Sequence, residues 1–310
     1  MTPALPPVVQ VIERGWLSSN NILFLEGDSA TLVDSGYVGH AAQTQALLAQ
    51  QLGGRRLGRL INTHSHSDHI GGNAALQAVH GCEIFIPAGI EEHIADWNEE
   101  ALLLSVAKQR VDRFRHDGLI RPGELIDMGG LAWRAHHAPG HDMAALVFHC
   151  PEERLLISGD ALWQDGFGII FAEILGLAAA GDALRATRQT LDMIADLDVR
   201  TVIPGHGAPF MDVEDALERA YKRLAAFEED PARMSRNAIK ACFTFNLLDL
   251  GALAEAELAA YLQSVPLFRD LARRVLDMDA EALAAWLTSE LLRAGAIALE
   301  NGNLVPRRAA

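Results

Sequence analysis

Residues 61–72 read INTHSHSDHIGG, and four metal-seeking side chains, His64, His66, Asp68 and His69, fall within six consecutive positions. Nothing else in the chain restricts its folding as strongly. Histidine offers a neutral nitrogen and aspartate a hard oxygen, and zinc accepts both at about 2.0–2.2 Å. The spacing is too tight for the donors to share one helical face, unlike the two histidines of H-E-x-x-H, which stand a turn apart. The donors are therefore expected on a loop at the end of a buried strand, RLIN. That strand delivers His64 and His66 to one point while Asp68 and His69 curl towards a second. Gly71 and Gly72 are expected to let the backbone turn tightly into a helix formed by NAALQAV.

Three later stretches repeat one pattern of apolar strand, small residues and a single polar donor. HAPGHD supplies His141, LLISGDAL supplies Asp160 and TVIPGHG supplies His206. Donors at the carboxyl ends of several strands converge on one rim of a sheet, where α/β proteins bind ligands. The strand-like runs NILFL, ATLVD, RLINT, EIFI, LAWRAHH, AALVFH, RLLIS and VRTVI are interleaved with helical patterns near 40–52, 70–80, 100–116 and 181–197. This predicts a layered α/β fold with many strands buried on both faces. After VIPGHGAPF the chain turns Ala- and Leu-rich and ends in two β-like runs around ENGN. The expected organisation is a catalytic domain over 1–215 and a small, mainly helical, winged-helix-like domain over 216–310.

The ordered set His64, His66, Asp68, His69, His141, Asp160 and His206 resembles the metallo-β-lactamase superfamily, and TLVDSG, with Asp34, resembles its early motif. The resemblance covers roughly residues 8–215. It implies a four-layer αββα sandwich in which His64, His66 and His141 hold one divalent ion and Asp68, His69 and His206 a second, with Asp160 bridging. Asp34 would support the metal loop from behind. Zinc is the first choice, with iron or manganese accepted by the same donors. Two ions about 3.5–4 Å apart lower the pKa of a shared water from 15.7 to roughly 7. The hydroxide would attack an ester, thioester or lactone carbonyl, with Asp68 as the catalytic carboxylate that orients the nucleophile or returns a proton. Two other activities share the scaffold: an RNA or nucleotide phosphodiesterase and a mononuclear iron dioxygenase acting on sulfur compounds. A non-catalytic metal-binding relic has no need of so complete a donor set.

Composition narrows the partners. With 310 residues, half of them hydrophobic, the chain can bury a substantial core. A net charge of −15 fits a small-molecule substrate and argues against nucleic acid. Near the carboxyl end, DAEALAAWLTSELLRAG carries three acidic residues and one basic, the wrong sign for phosphates. Its face of Leu283, Trp286, Leu287 and Leu291 reads as a core or homodimer stripe. No signal-like start and no run of 18 apolar residues occurs, which predicts a cytoplasmic protein without membrane spans. Cys82, Cys150 and Cys242 are too scattered for a disulfide framework and read as buried small hydrophobes. Trp163, Phe167 and Phe171 are expected near the site, and the amphipathic stretch around 90–120 as a lid or as helices covering a sheet.

Overall fold

The computed structural model describes residues 3–307. Its contacts divide the chain into two compact units. The first comprises residues up to 98 together with 110–225, and the second 99–109 together with residues from 226 onward. The boundary expected at 215 falls inside the helix Val213–Glu229.

Two sheets face each other in the first unit. One is ordered β1 (Val9–Ile12), β2 (Asn21–Glu26), β3 (Ser29–Val33), β4 (Arg56–Ile61), β5 (Glu83–Pro87) and β6 (Gly118–Ile120). It is antiparallel from β1 to β3 and parallel from β3 to β6. The other contains β7 (Leu125–Met128), β8 (Leu131–His137), β9 (Leu146–Cys150), β10 (Leu155–Gly159) and β11 (Thr201–Pro204), ordered β11-β10-β9-β8-β7. Only β10 and β11 run parallel. The inner faces meet in one core where Ile22, Phe24, Val33 and Ile61 pack with Trp133, Phe148, Ile157 and Ile203. β9, β10 and β11 are buried along their whole length, which is why their sequences lack alternation. The helix Asn73–His80 packs on β4 and β5, and Ala41–Leu52 packs beside it. The helix Asp182–Asp196 buries the stripe Ala183, Thr187, Leu191 and Ile194. The result is the expected αββα arrangement.

β1, β6 and β7 have no counterpart among the strand runs read from sequence. Each is a short strand of three or four residues, too short to display a period. The helix expected over 100–116 shrinks to Leu104–Ala107. Leu102, Leu103 and Leu104 are all buried, and three consecutive residues cannot lie on one helical stripe. The backbone breaks instead at Leu103 and Lys108, both with positive φ.

In the second unit the helix Pro231–Leu250 opens with Asp230 accepting from the Arg233 N–H and with proline in its first turn. Shorter helices follow, and Leu283, Leu287 and Leu291 of the helix Ala280–Arg293 are buried. Strands β12 (Leu253–Ala254), β13 (Ile297–Glu300) and β14 (Asn303–Pro306) form a sheet ordered β12-β14-β13. Asn301 and Gly302 close the hairpin with φ of 50° and 77°, as a two-residue turn of this hand requires. Among the described residues no helix is long and apolar enough to cross a membrane. All three cysteines are buried thiols.

Trp133 joins the two sheets of the first unit. It is fully buried, meets Phe24 edge-on with centroids 5.4 Å apart, and donates its indole N–H to the Met128 carbonyl at 3.3 Å. Trp133→Ala is expected to lower the unfolding free energy of this unit by about 3–5 kcal/mol in urea titrations. A loss below about 1 kcal/mol would show that the sheets do not pack through it.

Candidate metal centre

The site is built on backbone that stops being strand at one edge of both sheets. Asp34 follows β3 with φ 58°, a left-handed conformation that aspartate tolerates better than most residues. Its Oδ1 accepts from the Thr63 N–H at 2.9 Å. Its Oδ2 accepts from the Thr63 hydroxyl at 2.8 Å and faces His69 Nδ1 at 2.7 Å. A carboxylate only accepts, so Nδ1 of His69 carries a proton and Nε2 is the nitrogen left facing the site. With its hydroxyl hydrogen given to Asp34, Thr63 Oγ1 accepts from His64 Nδ1 at 3.0 Å, which fixes Nε2 of His64 as the bare nitrogen.

The donor stretch is not a loop throughout. His66 is extended, and Ser67–Ile70 forms one helical turn, closed by the Ile70 N–H on the His66 carbonyl at 3.1 Å. That turn separates His64 and His66 from Asp68 and His69. Gly71 and Gly72 have ordinary helical φ, so turning freedom is not their contribution. A β-carbon on Gly71 would collide with the backbone of Ser67 and Val38, and one on Gly72 with the Ser35 carbonyl. The glycines supply close approach. Around them Ser35, Asn62 and Asn73 form a buried network that also holds the His69 carbonyl.

His141 follows β8 by a short turn and places Nδ1 2.7 Å from the Ile169 carbonyl, which leaves Nε2 bare. Gly168 lies where a β-carbon would enter the His141 ring. Asp160 directly follows β10 and His206 follows β11, and a β-carbon on Gly205 would meet the Asp160 carboxylate. The seven residues form two groups whose donor atoms lie within 4.8 Å of one another: His64, His66 and His141, and Asp68, His69, Asp160 and His206. Asp160 touches both, with Oδ2 3.4 Å from His141 Nε2 and 3.8 Å from His206 Nε2, and Oδ1 3.4 Å from His69 Nε2.

The donor chemistry fits cations. Nε2 of His64 and of His69 are buried with no hydrogen-bond partner, an arrangement that is costly unless something else binds them. His66 Nδ1 and His141 Nε2 face each other at 2.7 Å. Burial pushes His64 well below the ordinary histidine value, and burial with neighbouring His141 brings His66 down to about 4. Both rings are neutral donors at pH 7. Burial opposes a charged His69, yet Asp34, Asp160 and Asp68 hold it well above the usual value. The negative potential responsible is one that a metal ion satisfies equally. Burial likewise opposes ionisation of Asp160, but His206, His69 and His141 keep it well below the carboxylate range.

Several contributors carried no signal of their own in the sequence. Asp142, beside His141, accepts from Ser65 N and Oγ at 3.0 and 2.6 Å and from Ala144 N at 2.7 Å, bracing one donor loop against another. Burial opposes its charge, while His66 and these hydrogen bonds lower its pKa. Adjacency to a donor was the available clue, as it was for Thr63. The segment 14–21 had no such clue: Ser19 N–H donates to the Asp68 carbonyl and Asn20 N–H to the Gly205 carbonyl. Arg14, buried, anchors that segment on Asn21, Thr44 and Gln43. Trp16 lies 5.1 Å from His206 and Trp163 5.4 Å, while Phe171 lies 5.0 Å from His66. Phe167 is instead buried beneath the Arg223 guanidinium. His137, a further histidine close in sequence to His141, faces the Met143 carbonyl instead.

A family model described as "Metallo-beta-lactamase superfamily" matches residues 14–206. The chain belongs to that superfamily. Within the metallo-β-lactamase superfamily, a hydroxyacylglutathione hydrolase of Methylococcus capsulatus is 28% identical over 169 residues, covering 53% of this chain and 56% of its own. Another, from Pseudomonas aeruginosa strain LESB58, is 31% identical over 117 residues, 37% of each chain. The chain thus spans little more than half the length of the first relative and less of the second. A metallo-β-lactamase family protein from Thermus thermophilus shares the fold with a TM-score of 0.59 at 22% identity, covering 98% of this chain and 100% of that one.

Removing the Asp34 anchor tests this geometry. Asp34→Asn keeps the shape but cannot accept from both Thr63 and His69 as before, and is expected to weaken divalent-metal binding about 10–100-fold in chelator competition. An unchanged dissociation constant with an unchanged circular dichroism spectrum would contradict the anchoring role.

Proposed function

We propose that the first unit is a zinc-dependent hydrolase that delivers water to the carbonyl of an ester, thioester or lactone. In this reading His64, His66 and His141 hold one ion, Asp68, His69 and His206 a second, and Asp160 is shared. The carrying observation is the position of Asp160, one carboxylate within 4 Å of histidines from both groups. Zinc suits three imidazoles in one group and mixed nitrogen and oxygen donors in the other. Bound ions would supply a Lewis acid and a water ionised near neutral pH.

The protein's own part is proton handling and orientation. Burial would raise the Asp68 carboxyl, but His69 and the hydrogen bond from His206 Nε2 at 3.0 Å hold it below the usual range. Asp68 is therefore an ionised base at neutral pH. Its carboxylate would take the proton from the attacking water and return it to the departing alkoxide or thiolate. Asp34, Thr63 and Asp142 keep the donors from shifting as charge redistributes. The relatives named hydroxyacylglutathione hydrolase favour a thioester. The second unit, with helix, short strand, further helices and hairpin in that order, is read as a winged-helix-like packing module.

Metal-loaded protein is expected to hydrolyse lactone, ester or thioester substrates, to lose that turnover on chelation and to regain it with zinc. Cleavage of phosphodiesters or short RNA without carbonyl turnover would overturn the reading, as would oxygen uptake with a persulfide. Asp68→Asn, at full zinc occupancy, is expected to lower kcat about 10²–10⁴-fold. Unchanged kcat would remove Asp68 as the proton carrier.

A further inference from the structure

The donor groups are flanked by apolar side chains that no part of the mechanism above requires. On the side of His206, the Trp16 ring lies 5.1 Å away and Trp163 5.4 Å, with the two indoles edge-on at 5.5 Å. On the side of the other group, Phe171 lies 5.0 Å from His66 and 5.8 Å from His141. Trp163 and Phe171 are held in place. Trp163 donates its indole N–H to Asp160 Oδ1 at 3.2 Å, and Phe171 is buried at the start of the helix Phe171–Leu175. Trp16 is different, because 39% of its surface is left to solvent directly beside a donor histidine.

Of the large hydrophobics left exposed in this unit among the described residues, Trp16 is the one whose ring meets a donor histidine. An exposed aromatic ring beside a cluster of polar donors suits a binding surface. The net charge of −15 adds a second constraint, since it repels anions that would seek a cationic pocket.

We infer that Trp16, with Trp163 and Phe171, forms a groove for an apolar acyl group, aromatic or medium-chain aliphatic, whose carbonyl lies at the donor groups. The inference rests on the hydrolase reading and specifies its substrate class. Trp16 is the specificity-determining residue, because it is the most exposed of the three. Covering it with an acyl chain removes apolar surface from water, a gain that an acetyl group cannot reach.

Three N-acetylcysteamine thioesters, acetyl, octanoyl and phenylacetyl, are assayed with the zinc-loaded full chain. The expected kcat/KM is at least about tenfold higher for octanoyl and phenylacetyl than for acetyl. Trp16→Ala should shrink that preference about tenfold through KM, and Trp16→Phe should retain most of it. Calorimetry gives a readout without turnover: phenylacetate should bind the zinc-loaded protein more tightly than acetate, with that advantage lost in Trp16→Ala. Equal kcat/KM for the three acyl groups, or a preference untouched by Trp16→Ala, overturns the groove and leaves the hydrolase reading standing. No turnover of any of them removes thioesters from the hydrolase reading, and the two acids then decide the groove alone, equal binding refuting it.

Discussion

The carboxylate of Asp34 is the contact on which the geometry of the candidate metal centre depends. It takes the Thr63 N–H, the Thr63 hydroxyl and the His69 ring N–H, all buried. Through His69 it sets one donor group, and through Thr63, which orients His64, it sets the other. A buried carboxylate is tolerated only when its oxygens are satisfied, so the three donors and the acceptor fix one another. The left-handed backbone at Asp34 lets that side chain reach across from β3 to the end of β4.

The same economy of space recurs around the other donors. Gly71, Gly72, Gly168 and Gly205 stand where a β-carbon would strike backbone, a donor ring or a donor carboxylate. Their positions explain how seven donors from several chain segments approach so closely. They also explain why the donor turn Ser67–Ile70 can press against residues 35–38. Close approach at this edge keeps Nε2 of His64 and of His69 buried within the donor groups.

Much of this was legible in the sequence because strongly apolar strands end on single polar residues. His141, Asp160 and His206 each follow such a strand, and a layered α/β fold follows from those same runs, while the αββα order came from the family resemblance. Other features depend on tertiary burial and leave no periodic trace. The three consecutive buried leucines at 102–104 break the expected helix, and the strands β1, β6 and β7 are too short to show a pattern. Trp16 is near His206 only because Ser19 and Asn20 hydrogen-bond to the donor loops, an arrangement between distant segments. Asp142 and Thr63 were closer to recognition, since each adjoins a donor.

Zinc stoichiometry tests the central claim most directly. Metal-free protein is dialysed to equilibrium against buffered zinc and bound metal per chain is measured by atomic emission. Two groups sharing Asp160 predict two equivalents of zinc per chain, both lost from Asp160→Asn more readily than from the unaltered protein. Saturation at one equivalent, or two equivalents held equally well without the shared carboxylate, would contradict a dinuclear site.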